Sequence, residues 1–84
     1  MESGSRIEVR CYEGSRANET PRVLVIDGAE VAIRTIIDRW IEEGLDRQDR
    51  KRCFKIIGDD SLLYTIHCDY ASGGWYLDKA EIIA

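Results

Sequence analysis

Apolar and polar residues alternate along much of this chain in short runs separated by turn-forming residues. A period of two places successive side chains on opposite faces of a strand. From Arg6 to Glu13, Ile7, Val9 and Cys11 fall on one side, and Glu8, Arg10 and Tyr12 on the other. The stretch Val23 to Trp40, VLVIDGAEVAIRTIIDRW, holds two apolar runs around Asp27-Gly28. An Asp-Gly pair suits a two-residue hairpin, because both central residues need positive φ. Such a turn sets Ile26 against Ala29, Val25 against Glu30, Leu24 against Val31 and Val23 against Ala32. Leu24, Ile26, Val31 and Ile33 then share the inward face, while Val23, Val25, Glu30, Ala32 and Arg34 share the other.

Beyond Ile33 two periodicities compete. Ile33, Ile36, Ile37, Trp40 and Ile41 follow helical spacing, and Gly44 could end a helix there. The β-branched residues Val31, Ile33, Thr35, Ile36 and Ile37 favour a strand, and no break separates them from the hairpin. The expectation is a long twisted strand with a bulge between Thr35 and Asp38.

The remaining segments extend the pattern. Met1 to Ser5 are small and polar and are expected to fray, Gly14 to Pro21 forms a polar loop, and residues 42–52, EEGLDRQDRKR, form an exposed polar loop. Short strands follow at Cys53 to Ile57 and Leu62 to Tyr70 around the turn GDDS, and a last strand runs from Trp75 to Ile83 after ASGG. The register of the 53–70 hairpin stays open, because its loop can hold three, four or five residues. Leu62, Tyr64, Ile66 and Cys68 form the less polar, inward face of its second strand. The predicted fold is all-β: a five- or six-stranded antiparallel meander curled into a small, partly open barrel or roll. The alternative is α+β, with a helix at about 29–43. Leu24, Ile26, Val31, Ile33, Phe54 and Trp75 are the expected core.

Length makes this a single small domain over 1–84. A chain of this size buries only about 60% of its unfolded surface, so its core is thin. The net charge of −4 disfavours a general nucleic-acid coat. No apolar run approaches the roughly 20 residues of a membrane span, and MESGSRIEV lacks a hydrophobic signal segment. The expected location is therefore cytoplasmic. Three cysteines, Cys11, Cys53 and Cys68, are an odd number without close spacing, which in a reducing compartment predicts thiols. Asn18-Glu19-Thr20 matches a glycosylation acceptor formally, without consequence in that setting.

Catalytic and metal motifs are sparse. His67 and the cysteines are scattered, and His67 and Cys68 should point to opposite faces, so no metal or cofactor is expected. His67 and Asp69 share a face and could orient an imidazole, but no phosphate loop, nucleophile elbow or second His accompanies them. An enzyme is not expected. Among the aromatics, Trp40 and Trp75 read as packing anchors, whereas Tyr12 and Tyr76 lie opposite their strands' core residues and are surface-binding candidates. Asp46 to Arg52, DRQDRKR, carries four cations against two carboxylates. Arg47, Arg50, Lys51 and Arg52 are thus candidate ligand contacts.

The segments CYEG (11–14), ANETP (17–21), IDGAEV (26–31), IIDRW (36–40), CFKIIGDDS (53–61), LYTIHCD (63–69) and GWYL (74–77) occur in this order. Together they resemble a group of short bacterial cytoplasmic proteins of unknown function. The resemblance implies a small β domain and no established activity, ligand or catalytic residue. Cys68 stands where such proteins commonly have His, and Ile57 and His67 where they commonly have Arg. The functional expectation is a non-catalytic binding or protein-interaction module, with an unknown protein partner or self-association. Weak nucleic-acid binding through the basic loop 47–52 is the alternative, and no membrane association is expected.

Overall fold

In the computed structural model, which describes residues 5–11, 20–45 and 49–83, the Asp27-Gly28 turn has the positive φ values its chemistry allows, 52° and 83°. It joins β2 (Pro21–Ile26) to β3 (Ala29–Glu42), with Val23, Leu24, Val25 and Ile26 opposite Ala32, Val31, Glu30 and Ala29 as the sequence requires. The other strands are β1 (Ser5–Cys11), β4 (Lys51–Gly58), β5 (Leu62–Asp69) and β6 (Trp75–Ile82). All neighbours are antiparallel, and the sheet closes into a barrel in the order β1-β2-β3-β4-β5-β6. Closure rests on three pairs between β1 and β6: Ser5 with Leu77, Arg6 with Tyr76 and Ile7 with Trp75. The all-β barrel is thus the fold; the α+β alternative, with its helix at about 29–43, is not.

Helical spacing in β3 has a physical origin within the strand. The ladder with β4 shifts between Ile33 and Thr35 and again between Ile36 and Asp38, so Arg34 and Ile37 are each one residue too many. Each extra residue reverses the alternation. The inward positions become Val31, Ile33, Ile36, Arg39 and Ile41, and steps of three imitate a helix. Ile37, placed on the bulge, is 51% exposed.

Ile7, Leu24, Phe54, Ile56, Tyr64, Ile66 and Trp75 are buried together, and Ile26, Val31 and Ile33 pack against them while partly exposed. Phe54 and Trp75 meet at the centre with ring centroids 5.7 Å apart. Trp40 is a correction: it lies opposite Cys53 on the outer face and is only half-buried. Register in the second hairpin follows from Ile57 opposite Leu63. Asp59, Asp60 and Ser61 form a three-residue loop, with the Ser61 N–H donating to the Gly58 carbonyl at 3.0 Å and Ser61 itself at φ 66°. Asp60 accepts from the Leu62 N–H at 3.1 Å and from the Tyr64 hydroxyl.

The polar loop expected at 42–52 is shorter than its composition suggested. β3 runs to Glu42 and β4 starts at Lys51, with Glu42 opposite Lys51 and Ile41 opposite Arg52. At this end the sheet projects beyond the closed part of the barrel. Polar side chains there occupy strand positions without a buried face, so polarity no longer marks a loop. Expectations for residues 1–4 and 12–19 lie outside the described residues.

Candidate functional site

The projecting ends of β3, β4 and β5 form an arm whose inner surface continues the core face of the barrel. Cross-strand pairing sets Arg39 opposite Phe54 and Ile41 opposite Arg52, all directed inward. The ladder of β4 with β5 continues one step further through the Tyr70 N–H, which donates to the Arg50 carbonyl at 3.1 Å. These residues border a groove of about 360 Å³ lined by Arg39, Trp40, Ile41, Arg52, Cys53, Phe54 and Tyr70. Ile41 and Tyr70 are 57% and 47% exposed, although both are large apolar side chains.

Two guanidinium groups of the arm lie over rings. Arg52 lies 5.8 Å from the Phe54 centroid, and Arg50 lies 5.6 Å from that of Tyr70. Stacking leaves the in-plane N–H groups directed outward for a ligand. Arg50 is ion-paired with Glu43. Arg39 and Arg52 have no carboxylate partner among the described residues.

Among the described residues, the edge of β3 beside this groove has no strand partner. Pairing with β2 ends at Ala32, whereas pairing with β4 continues to Glu42, so no described strand flanks β3 on its other side from Ile33 onward. In an antiparallel ladder the backbone groups of successive residues point alternately to the two neighbours. The Arg50–Tyr70 bond fixes the phase: Arg50 faces β5, so Lys51 and Cys53 face Glu42 and Trp40. Arg39 and Ile41 therefore turn their N–H and C=O groups outward. Consistent with this, the Arg39 N–H donates to Asp38 Oδ1 at 2.9 Å, a local cap on an edge amide.

The basic residues singled out from the sequence are divided by this geometry. Arg52 lines the groove and Arg50 lies over the ring of Tyr70 at its border, whereas Lys51 lies on the outer face between Glu42 and Asp69. Lys51 and Arg52 belong to a strand, not to the loop. Arg47 and Tyr12 lie outside the described residues. Tyr76 sits elsewhere, on the outer face of β6, stacked on His67 at 5.0 Å with Arg6 5.8 Å from its centroid. Arg39 and Ile41 were missed, because the single bulge expected between Thr35 and Asp38 turns them outward, and the second bulge at Arg34 returns them to the inner face.

A second cluster crosses the outer face. Cys53 is opposite His67, and His67 Nδ1 lies 2.8 Å from Asp78 Oδ2. Asp78 reaches it because the ladder of β5 with β6 shifts between Thr65 and Ile66, making Asp78 the extra residue. Asp69, the partner suggested by strand spacing, instead accepts from the Ala71 N–H in the following turn. Cys, His and Asp in this sequence resemble a nucleophilic triad in composition only. Burial, followed by the Glu42 and Asp78 carboxylates, pushes the Cys53 thiol up to about 11, which suppresses the thiolate that nucleophilic attack requires. Among the described residues no group of three or more His, Cys, Asp or Glu is arranged to hold a metal ion. Nor is any helix there long and apolar enough to cross a membrane.

Fold and site together describe a small antiparallel barrel carrying an open-edged, arginine-aromatic arm. No family model matches the chain, and no curated protein or solved structure shows significant similarity to it.

Proposed function

We propose that this chain is a non-catalytic protein-interaction module that receives an extended segment of its partner on the free edge of β3. The observation that carries the reading is the edge of β3 from Ile33 to Glu42, which has no strand partner among the described residues and lies beside a groove with exposed Ile41 and Tyr70. Unpaired strand edges recruit extended chains through their backbone groups, and adjacent side chains select among sequences. The inert character of Cys53 supports a role without catalysis.

A second reading, weak nucleic-acid binding, is favoured by the cation-aromatic pairs Arg52–Phe54 and Arg50–Tyr70. Against it, Asp38, Glu42 and Glu43 share the arm with these arginines, and the whole chain is net negative.

Amide NMR with a panel of eight-residue peptides of mixed sequence tests the first reading. Binding should shift the resonances of residues 35–42 and slow exchange of the Ile41 amide. Ile41→Pro should abolish that binding while leaving the ladder to β4 intact, since proline at this position removes only an outward N–H. Peptides that bind without perturbing residues 35–42 would place the interaction surface elsewhere.

A further inference from the structure

Resting on that reading of the edge, we infer that the incoming strand is acidic: an extended peptide with carboxylates directed to Arg39 and Arg52, and apolar residues at the alternate inward positions beside Ile41 and Tyr70. Charge on the arm is segregated by face. Arg39 and Arg52 point inward, whereas Asp38, Glu42 and Asp69 lie on the outer face with Lys51 and Lys55. Glu43 is paired with Arg50, and among the described residues no carboxylate pairs with Arg39 or Arg52.

Arg39 and Arg52 are diagonal cross-strand neighbours, since Arg39 opposes Phe54 and Arg52 lies two residues away on the same strand. Diagonal positions sit roughly 7–8 Å apart, so two unneutralised guanidinium groups repel each other across the groove. A carboxylate arriving with a new strand relieves that repulsion and forms charge-assisted hydrogen bonds. Arg39 is also next to the edge itself, where a docked strand places its side chains directly opposite.

Other occupants fit less well. A second copy pairing antiparallel through this edge, centred on Arg39, would oppose Arg39 to itself, and one centred on Trp40 would oppose Asp38 to Glu42. Both registers juxtapose like charges, which is destabilising, and one centred on Ile41 sets Arg39 against Glu43 only by drawing Glu43 from Arg50. A nucleic-acid strand would bring a phosphate at every nucleotide to a face with two unpaired arginines and the Glu43 carboxylate, in a chain that is net negative.

The test is fluorescence anisotropy of three labelled probes against the full chain. These are an end-blocked eight-residue peptide with Glu and Val alternating, the same peptide with Lys replacing Glu, and an oligothymidylate of about the same length. The inference expects the Glu peptide to bind at least about tenfold more tightly than either other probe, since one charge-assisted contact is worth that much. Arg39→Glu with Arg52→Glu should reverse the preference towards the Lys peptide. Arg39→Gln with Arg52→Gln should level it, and both variants should retain the wild-type circular dichroism. Equal binding of the Glu and Lys peptides, abolished in both cases by Ile41→Pro, overturns the acidic preference and leaves the edge reading standing. Tighter binding of the oligothymidylate than of the Glu peptide overturns the inference in favour of nucleic acid. Failure of both peptides to bind overturns the inference and the edge reading together.

Discussion

Among the described glycines Gly58 has the least room for a side chain, and Gly58→Ala measures that directly. Gly58 faces Ile33 at the first irregularity of the β3–β4 ladder. A Cβ there would stand 2.6 Å from Val31 Cγ1, 2.7 Å from Asp60 Oδ1 and 3.1 Å from Tyr64 Cε2. Overpacking of this kind costs about 1–3 kcal/mol. Displacing Asp60 also weakens its bonds to the Leu62 N–H and the Tyr64 hydroxyl, costing about 1 kcal/mol more. Restricting the unfolded chain returns about 0.4–1 kcal/mol. The expected net loss is therefore about 1–3.5 kcal/mol, with each kcal/mol lowering Tm by roughly 4–8 °C in a domain of this size. Urea denaturation followed by tryptophan fluorescence reads the change. Because Val31 makes the closest contact, adding Val31→Ala to Gly58→Ala should cost less than Val31→Ala alone, giving a coupling of at least about 0.5 kcal/mol. A Gly58→Ala protein as stable as wild type would mean that β3 and β4 are paired in a different register.

Three further outcomes follow from the core and its titrating groups. Leu24 is fully buried, so Leu24→Ala should cost about 2–5 kcal/mol in the same denaturation assay, and a loss below about 0.5 kcal/mol would place it on the surface. Burial raises Cys53 from 9.0 to about 11. Burial and then the Asp60 hydrogen bond raise Tyr64 from 10.0 to about 12. Both groups hold their protons more tightly folded than unfolded, so their contribution is complete below about pH 9 and disappears as pH rises through 9–12. The urea midpoint should fall over that window, less steeply in a Cys53→Ala, Tyr64→Phe double variant; equal slopes would deny both groups this role. Finally, Cys53 should react with a thiol reagent at pH 8 far more slowly in native protein than in urea, and equal rates would contradict its burial.

Much of the barrel was legible because local chemistry and long-range packing agree there. Asp27-Gly28 admits one tight turn, which fixes the phase of Leu24, Ile26, Val31 and Ile33; in β1, Ile7, Val9 and Cys11 face inward as their alternation requires. Legibility fails where a strand gains a residue. A single bulge between Thr35 and Asp38 would turn Trp40 inward; the second, at Arg34, cancels that reversal and leaves Trp40 outside with Arg39 and Ile41 on the inner face, and the bulge at Asp78 gave His67 a partner eleven residues away in sequence. A bulge is stabilised by neighbouring strands, so a single strand's pattern carries no record of it. The arm failed for a related reason. Alternation marks a strand only where one face is buried, and Ile41 to Glu42 and Lys51 to Arg52 pair with little on either side to exclude water.

Residue-resolved amide hydrogen exchange along β3 bears most directly on the proposed interaction edge. In the free protein the Trp40 and Glu42 amides, directed at β4, should exchange slowly, and the Ile41 amide, directed away, should exchange fast. Saturation with the alternating Glu-Val peptide should slow Ile41 while leaving Trp40 and Glu42 nearly unchanged. A slow Ile41 amide in the free protein, or a fast one that saturating peptide leaves fast, would contradict the account of this edge as the docking site.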